Sequence, residues 1–196
     1  TAQDITVSVN NLNDNSPSFT SSDTFSADEN QTAIGTVVAS DDDGDPISYS
    51  ISGSDISIHS STGVIAFASA PDYETTTSYS ATVTVSDGTN STTQDITVTI
   101  NNLNDNGVSI TNDLTDGWIV FSADENQVSA GTITVLDLDG DATISLVGED
   151  DSDSFNINIS GVITFKTAPD YETKSQYQFG VRATDGSSDG SKDGCK

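Results

Sequence analysis

The chain has 196 residues, with 31 Asp and Glu against five Lys and Arg, a formal charge of -26 and one cysteine. That balance excludes a nucleic-acid or anionic-membrane surface, because phosphate recognition runs on Lys and Arg, and makes cations the natural counter-charge. A lone Cys195 excludes a disulfide framework, and the absence of any run of about 18 apolar residues excludes a spanning helix and direct membrane insertion.

In chain order, Gln3 to Val9 (QDITVSV) alternates apolar and polar residues as a half-buried strand does, and the polar turn NNLNDN follows at Asn10 to Asn15. After it come ADEN at Ala27 to Asn30, the run GTVVAS, the acidic triplet Asp41-Asp42-Asp43, PISYSI, and a T-G-x-I turn at Thr62 to Ile65. APDYET begins at Ala70, Tyr79, Ala81, Val83 and Val85 alternate with Ser and Thr, Asp87 sits in a Ser-Asp-Gly turn, and Ile96, Val98 and Ile100 form the last strand. NNLNDN then returns at Asn101 to Asn106. The same order recurs from there, with ADEN at Ala123 and APDYET at Ala168, after an inserted NDLTDGW that contains the single Trp118.

Self-similarity at roughly ninety residues therefore sets the organisation. We expect the tail strand and linker of a preceding repeat over residues 1–15, one repeat over 16–106, and a second over 107–196 that lacks a counterpart of its final strand. About seven short strands per repeat, with no convincing helix, predict an all-β fold of tandem seven-stranded Greek-key, Ig-like sandwiches in a linear rod. Sandwiches this small bury modest cores, so a further stabiliser is expected.

The carboxylates gather at strand ends and turns, where the loops of a sandwich converge on one pole. Alternate spacing, as in Asp41-x-Asp43 and Asp72-x-Glu74, lets a turning backbone aim two carboxylates at one point, the arrangement that suits a hard cation with oxygen ligands. Asn side chains and backbone carbonyls add ligands without adding repulsion.

These motifs resemble the cadherin repeat family, as found in tandem arrays of bacterial type. The family's D-x-N-D-N linker is matched by Asn11 to Asn15 and Asn102 to Asn106, its x-E-x by Asp28-Glu29-Asn30 and Asp124-Glu125-Asn126, and its D-x-D by Asp41 to Asp43 and Asp137 to Asp139. Its D-R-E appears with Tyr in the middle, as Asp72 to Glu74 and Asp170 to Glu172, and its late-strand Asp is matched by Asp87 and Asp185. The leading linker Asp is Asn in both copies, and the proline that follows the linker is present only once, as Pro17.

The resemblance implies three calcium ions at the central junction. One would take Glu29, Asp72, Glu74 and Asp105; a second would share Glu29, Glu74 and Asp105, add the carbonyl of Leu103 and reach Asp139; the third would use the Asn104 side chain, the Asn106 carbonyl, Asp137, Asp139 and Asp185. A site of the third type would form in the first repeat from Asn13, Asn15, Asp41, Asp43 and Asp87, and Glu125, Asp170 and Glu172 would form a partial one in the second. Two like charges about 6 Å apart at an effective dielectric near 20 repel by on the order of 3 kcal/mol, so such poles are expected to splay without metal.

The implied function is a calcium-binding module pair of a secreted or cell-surface protein, excerpted from something longer, in which calcium rigidifies the junction for adhesion or protein-protein interaction. A calcium-dependent carbohydrate-binding module is the alternative, with Tyr73, Tyr171, Tyr177 and Trp118 as candidate stacking groups; for Tyr73 and Tyr171 packing beside the metal cup is favoured, and for Trp118 a core anchor. Candidate partners beyond calcium are a second copy, homophilic or head-to-tail through Asp4 to Val9, and polysaccharide. Catalysis is not expected: the paired carboxylates recur with the motif rather than in one cleft, and His59 has no Ser or Cys motif beside it.

Overall fold

The computed structural model describes residues 1–148, 150–186 and 194–195. The chain divides into two compact units, Thr1–Leu103 and Asn104–Lys196.

The first unit contains β1 (Ser18–Phe19), β2 (Thr24–Asp28), β3 (Ala33–Thr36), β4 (Ala39–Ser40), β5 (Ser48–Ile51), β6 (Ile56–Ile58), β7 (Val64–Phe67), β8 (Ser78–Ser86) and β9 (Ser91–Asn101). One sheet runs β2-β9-β8-β5, the other β3-β7-β6, and β1 pairs with β4. β8 and β9 form a nine-pair antiparallel hairpin from Ser78 opposite Thr99 to Ser86 opposite Ser91, while β2 joins β9 in parallel. Period-two alternation places every second residue inside: Val83, Val85, Ile96 and Val98 are fully buried, and with Val37, Ile56, Ile65 and Phe67 they build the core between the sheets.

The T-G-x-I turn needs its glycine. Gly63 has φ +69, and a Cβ there would lie 2.1 Å from the carbonyl oxygen of Val37, whose own N–H donates to the Gly63 carbonyl at 2.9 Å. Gly161 repeats the arrangement against Ile133 in the second unit.

The second unit contains β10 (Ser109–Ile110), β11 (Ser129–Thr132), β12 (Val135–Leu136), β13 (Thr143–Val147), β14 (Phe155–Ile157), β15 (Val162–Phe165), β16 (Gly180–Thr184) and β17 (Gly194–Cys195). Its sheets run β11-β15-β14 and β13-β16-β17, with β10 paired to β12. The core is smaller and more aromatic. Ile133, Phe155, Ile163 and Phe165 are buried, and Phe155 packs at a tilt against Phe165 and Phe179 and edge-to-face against Tyr177, with ring centroids 4.3 to 5.7 Å apart. Val120–Asp124, the counterpart of β2, forms no strand.

Trp118 departs from the expected core anchor: it is 56% exposed. The reason is local. Asp116 and Gly117 both have positive φ, 53° and 85°, and Thr115 and Trp118 close on each other by two backbone hydrogen bonds of 2.7 and 3.0 Å. This is a two-residue primed turn, which carries Trp118 on a tight hairpin rather than into the sandwich. Tyr73 packs against the core of the first unit, whereas Tyr171 is 66% exposed.

Candidate metal centres

In the first unit the x-E-x turn is set by Asn30, whose left-handed φ of 63° Asn tolerates well, and whose N–H donates to the Pro71 carbonyl at 3.0 Å. That fold-back turns Glu29 inward, where it is 2% exposed. Its Oε2 accepts the N–H of Tyr73 at 2.8 Å and its Oε1 the N–H of Leu103 at 2.8 Å. Asp72 closes a local turn, accepting the Glu74 N–H at 3.1 Å and the Thr75 hydroxyl at 2.9 Å, and the Thr75 hydroxyl is the main reason its carboxyl is held below the usual range. One carboxylate oxygen from each of Glu29, Asp72 and Glu74 lies within 4.8 Å of the others.

A second cluster of the same unit gathers the first NNLNDN linker. Asp43 accepts the N–H of Asn15 at 2.8 Å, the Asn15 amide at 2.9 Å and the N–H of Asp14 at 3.0 Å. The Asn15 backbone and side-chain bonds, in that order, hold its carboxyl below the usual range. Asp41 accepts the N–H groups of Asp43 and Asp45 through Oδ1, and its buried Oδ2 has no hydrogen-bond partner. Asp87 is 9% exposed; burial alone would raise its pKa, but N–H bonds from Asn90 and Thr89 outweigh that and lower it. Asn13 and Asn15 are tied to the same place by the Asn90 amide, which donates to the Asn13 side chain at 3.1 Å and the Asn15 carbonyl at 3.0 Å. Asn13, Asn15, Asp41, Asp43 and Asp87 thus converge.

The second unit repeats this cluster around its own linker residues. Asp139 accepts the N–H groups of Asn106 at 2.7 Å and Asp105 at 3.1 Å, and the Asn106 amide at 3.2 Å. Asp137 accepts the Asp139 N–H through Oδ1, while its Oδ2 is buried without a partner. Asn104 donates its amide to Asp141 and to the carbonyl of Asp185, leaving its Oδ1 buried and unpartnered. Asn104, Asp105, Asn106, Asp137, Asp139 and Asp185 therefore belong to one pole. Glu125, Asp170 and Glu172 also come within 4.8 Å of one another, and the Tyr171 N–H reaches Glu125 at 3.1 Å, but all three are exposed.

Sequence reasoning missed three members of these clusters. Asp45 shares a 4.8 Å grouping with Asp41 and Asp43, Asp141 receives the Asn104 amide, and Asn90 ties Asn13 to Asp87. For Asp45 and Asp141 a signal was present, since the alternate spacing Asp41-x-Asp43-x-Asp45 and Asp137-x-Asp139-x-Asp141 continues one step further. Asn90 carried none, because its role depends on a contact with a residue 77 positions away.

The donor set is oxygen throughout, and its charge is not met by the protein. Residues 1–103 contain no Lys or Arg at all; the five basic residues are Lys166, Lys174, Arg182, Lys192 and Lys196. Buried carboxylate and amide oxygens without donors are costly in protein interiors, and the unpartnered oxygens of Asp41, Asn104 and Asp137 suit a hard divalent cation.

The comparisons agree with this architecture. A family profile described as the cadherin domain matches residues 23–101. The chain is 30% identical over 162 residues to cadherin-related family member 2 of Mus musculus, covering 76% of this chain and 12% of the relative. It is 32% identical over 202 residues to protocadherin Fat 4 of Mus musculus, covering 95% of this chain and 4% of the relative. The chain thus spans a small fraction of the length of these curated relatives. Among solved structures, extracellular cadherin domains 3-6 of protocadherin gamma B2 share the fold with a TM-score of 0.76 at 23% identity, over 91% of this chain and 49% of that one. Human protocadherin-24 EC1-2 matches with a TM-score of 0.64 at 23% identity, over 94% and 93%. With the motifs, the tandem sandwiches and these relatives in agreement, the chain belongs to the cadherin repeat family.

Proposed function

We propose that the chain is a calcium-binding pair of cadherin repeats from the extracellular or surface-exposed part of a longer adhesive protein, and that calcium stiffens the linker between the repeats. Residues 1–15 then close a preceding repeat, and 16–106 and 107–196 form the two repeats. The observation that carries this reading is the set of buried, unpartnered oxygens on Asp41, Asp137 and Asn104 within all-oxygen clusters. Glu29, Asp72, Glu74, the Leu103 carbonyl and Asp105 would hold ions on one side of the linker, and Asn104, Asn106, Asp137, Asp139 and Asp185 on the other. Asn13, Asn15, Asp41, Asp43 and Asp87 would hold a further ion in the first repeat. Bound calcium would supply positive charge that neutralises these carboxylates; the protein's part is to fix them through the N–H bonds of Leu103, Tyr73, Asn15 and Asn106. Ions held by the linker residues would, on this reading, tie the repeats together.

Calcium titration of the full chain, with melting temperature and small-angle scattering as readouts, tests this. Calcium is expected to raise the melting temperature and extend the particle, with magnesium far less effective because it demands a tighter octahedral shell. Identical melting and scattering profiles in calcium and in chelator would sink the proposal.

A second reading, calcium-dependent binding of polysaccharide, is favoured by one observation: Trp118 is 56% exposed on its hairpin, beside exposed Leu114 and Val120. Retention on insoluble polysaccharide that Trp118→Ala abolishes would support it, and no retention in calcium would remove it. No catalytic role is proposed, since homologous carboxylates recur in both units at the same turns.

A further inference from the structure

The two units fill one equivalent place in their sandwiches differently. In the first, Tyr49 of β5 stands opposite Val85 of β8, two residues before Asp87; in the second, Ile144 of β13 stands opposite Ala183 of β16, two residues before Asp185. Tyr49 and Ile144 therefore hold the same position.

Tyr49 is 8% exposed, and its hydroxyl accepts the Ala39 N–H at 3.0 Å. Its ring lies beside the T-G-x-I turn, with Cζ 3.3 Å from the point where a Cβ on Gly63 would stand. Ala39 sits opposite Phe19 in the β1-β4 pair, and Val135 takes its place opposite Ile110 in the β10-β12 pair.

Ile144 reproduces neither contact. It has no hydroxyl to offer the Val135 N–H, and the three atoms nearest the corresponding point at Gly161 all belong to Ile133. The frame around it is nevertheless kept: the Gly161 carbonyl accepts the Ile133 N–H at 2.9 Å, as the Gly63 carbonyl accepts that of Val37 at 2.9 Å. What the shorter side chain leaves is a cavity of about 280 Å³, lined by Ile133, Thr134, Val135, Ile144, Ile159 and Ser160 among others.

We propose that this cavity is a binding site for a small uncharged phenol, whose ring and hydroxyl take the places that the Tyr49 ring and hydroxyl take in the first unit. The ring lies against Ile133, Val135 and Ile144, and its oxygen accepts the Val135 N–H. Size permits this, since a protein cavity of about 150 Å³ already admits a benzene ring. Water alone could meet the N–H but would leave the apolar walls wetted. The ligand is neutral because the chain carries a formal charge of -26, which disfavours a phenol bearing a carboxylate. Ile159, 95% exposed, stands at the mouth and covers the ring. The proposal does not rest on calcium.

The test is titration of the full chain with phenol and with benzene, followed by NMR at the Val135 amide, beside the variants Ile144→Tyr and Ile159→Asp. Phenol is expected to shift the Val135 amide saturably, with a dissociation constant on the order of 1 mM. Benzene is expected to bind about fivefold more weakly, for want of one hydrogen bond. Ile144→Tyr supplies the ring from the chain itself, so it is expected to raise the melting temperature of the second unit and abolish phenol binding. Ile159→Asp changes an exposed side chain and keeps the fold, which circular dichroism checks, and is expected to weaken phenol by about fivefold. A Val135 amide that does not respond to phenol, benzene that binds as tightly as phenol, or phenol affinity that either substitution leaves unchanged would each overturn the proposal.

Discussion

The N–H of Leu103 donates to Oε1 of Glu29 at 2.8 Å, across 74 residues of sequence, and the N–H of Tyr73 donates to Oε2 of the same carboxylate at 2.8 Å. Glu29 thus pins the end of β9 and the turn after Pro71 to one point. Its counterpart Glu125 is exposed and, among the bonds described, is met by Tyr171 at 3.1 Å.

Replacing Glu29 with Ala strands two backbone donors in a buried place, each costing about 1–3 kcal/mol. Glu29→Ala is therefore expected to destabilise the first unit by about 2–5 kcal/mol in chelator, and Glu125→Ala to cost the second unit less than about 1 kcal/mol. Hydrogen exchange at the Ile96 and Ile163 amides reports the two units separately.

Gly63→Ala and Gly161→Ala place a Cβ 2.1 Å and 2.0 Å from the carbonyl oxygens of Val37 and Ile133, at φ values of +69° and +76°. Each is expected to cost its own unit more than about 3 kcal/mol, since both backbone conformation and a close backbone crossing must change. Gly88→Ala is the control: it shares a positive φ but meets nothing within 4 Å, so about 1 kcal/mol is expected. Denaturant midpoints compare the three.

Asp137→Asn should change the sign of its effect with metal. In chelator it removes a charge from a pole shared with Asp139 and Asp185, so the second unit is expected to melt at the same or a higher temperature. In calcium it removes a ligand charge, and affinity by calorimetry is expected to fall by about tenfold or more. A variant less stable than wild type in chelator would show that Asp137 has a structural role instead.

Asp151 gives a pH dependence. The Lys174 ammonium donates to its Oδ1, the Gln178 N–H donates to its Oδ2 at 2.8 Å, and these bonds, Lys174 first, hold its carboxyl below the usual range. A lowered folded-state pKa means the stabilisation is complete above the ordinary Asp value and is lost as pH falls through the lowered one. Asp151→Asn is expected to lower the melting temperature of the second unit near neutral pH by roughly 2–4 °C, a modest figure because Lys174 is 44% exposed, and to match wild type in strong acid.

Much of this molecule is legible in one dimension. Period-two alternation gave Tyr79 to Val85 and Ile96 to Ile100 as strands with those residues inward, and β8 and β9 place them so. The glycine turns at Gly63 and the clustering of Asp41 with Asp43, or Asp72 with Glu74, follow from residues a few positions apart, whose geometry a short backbone dictates. What those residues meet is another matter. ADEN occurs twice with the same turn and the same left-handed Asn, yet Glu29 is buried and Glu125 exposed, because burial depends on whether a strand far along the chain covers the turn. Trp118 reads as a core residue by type and is held outside by its hairpin, and Asn90 enters the cluster only by meeting Asn13 and Asn15 in space. Local spacing therefore determined the strands and the carboxylate pairs of this protein, and the tertiary structure alone decided which oxygens are buried, since burial is conferred by partners distant in sequence.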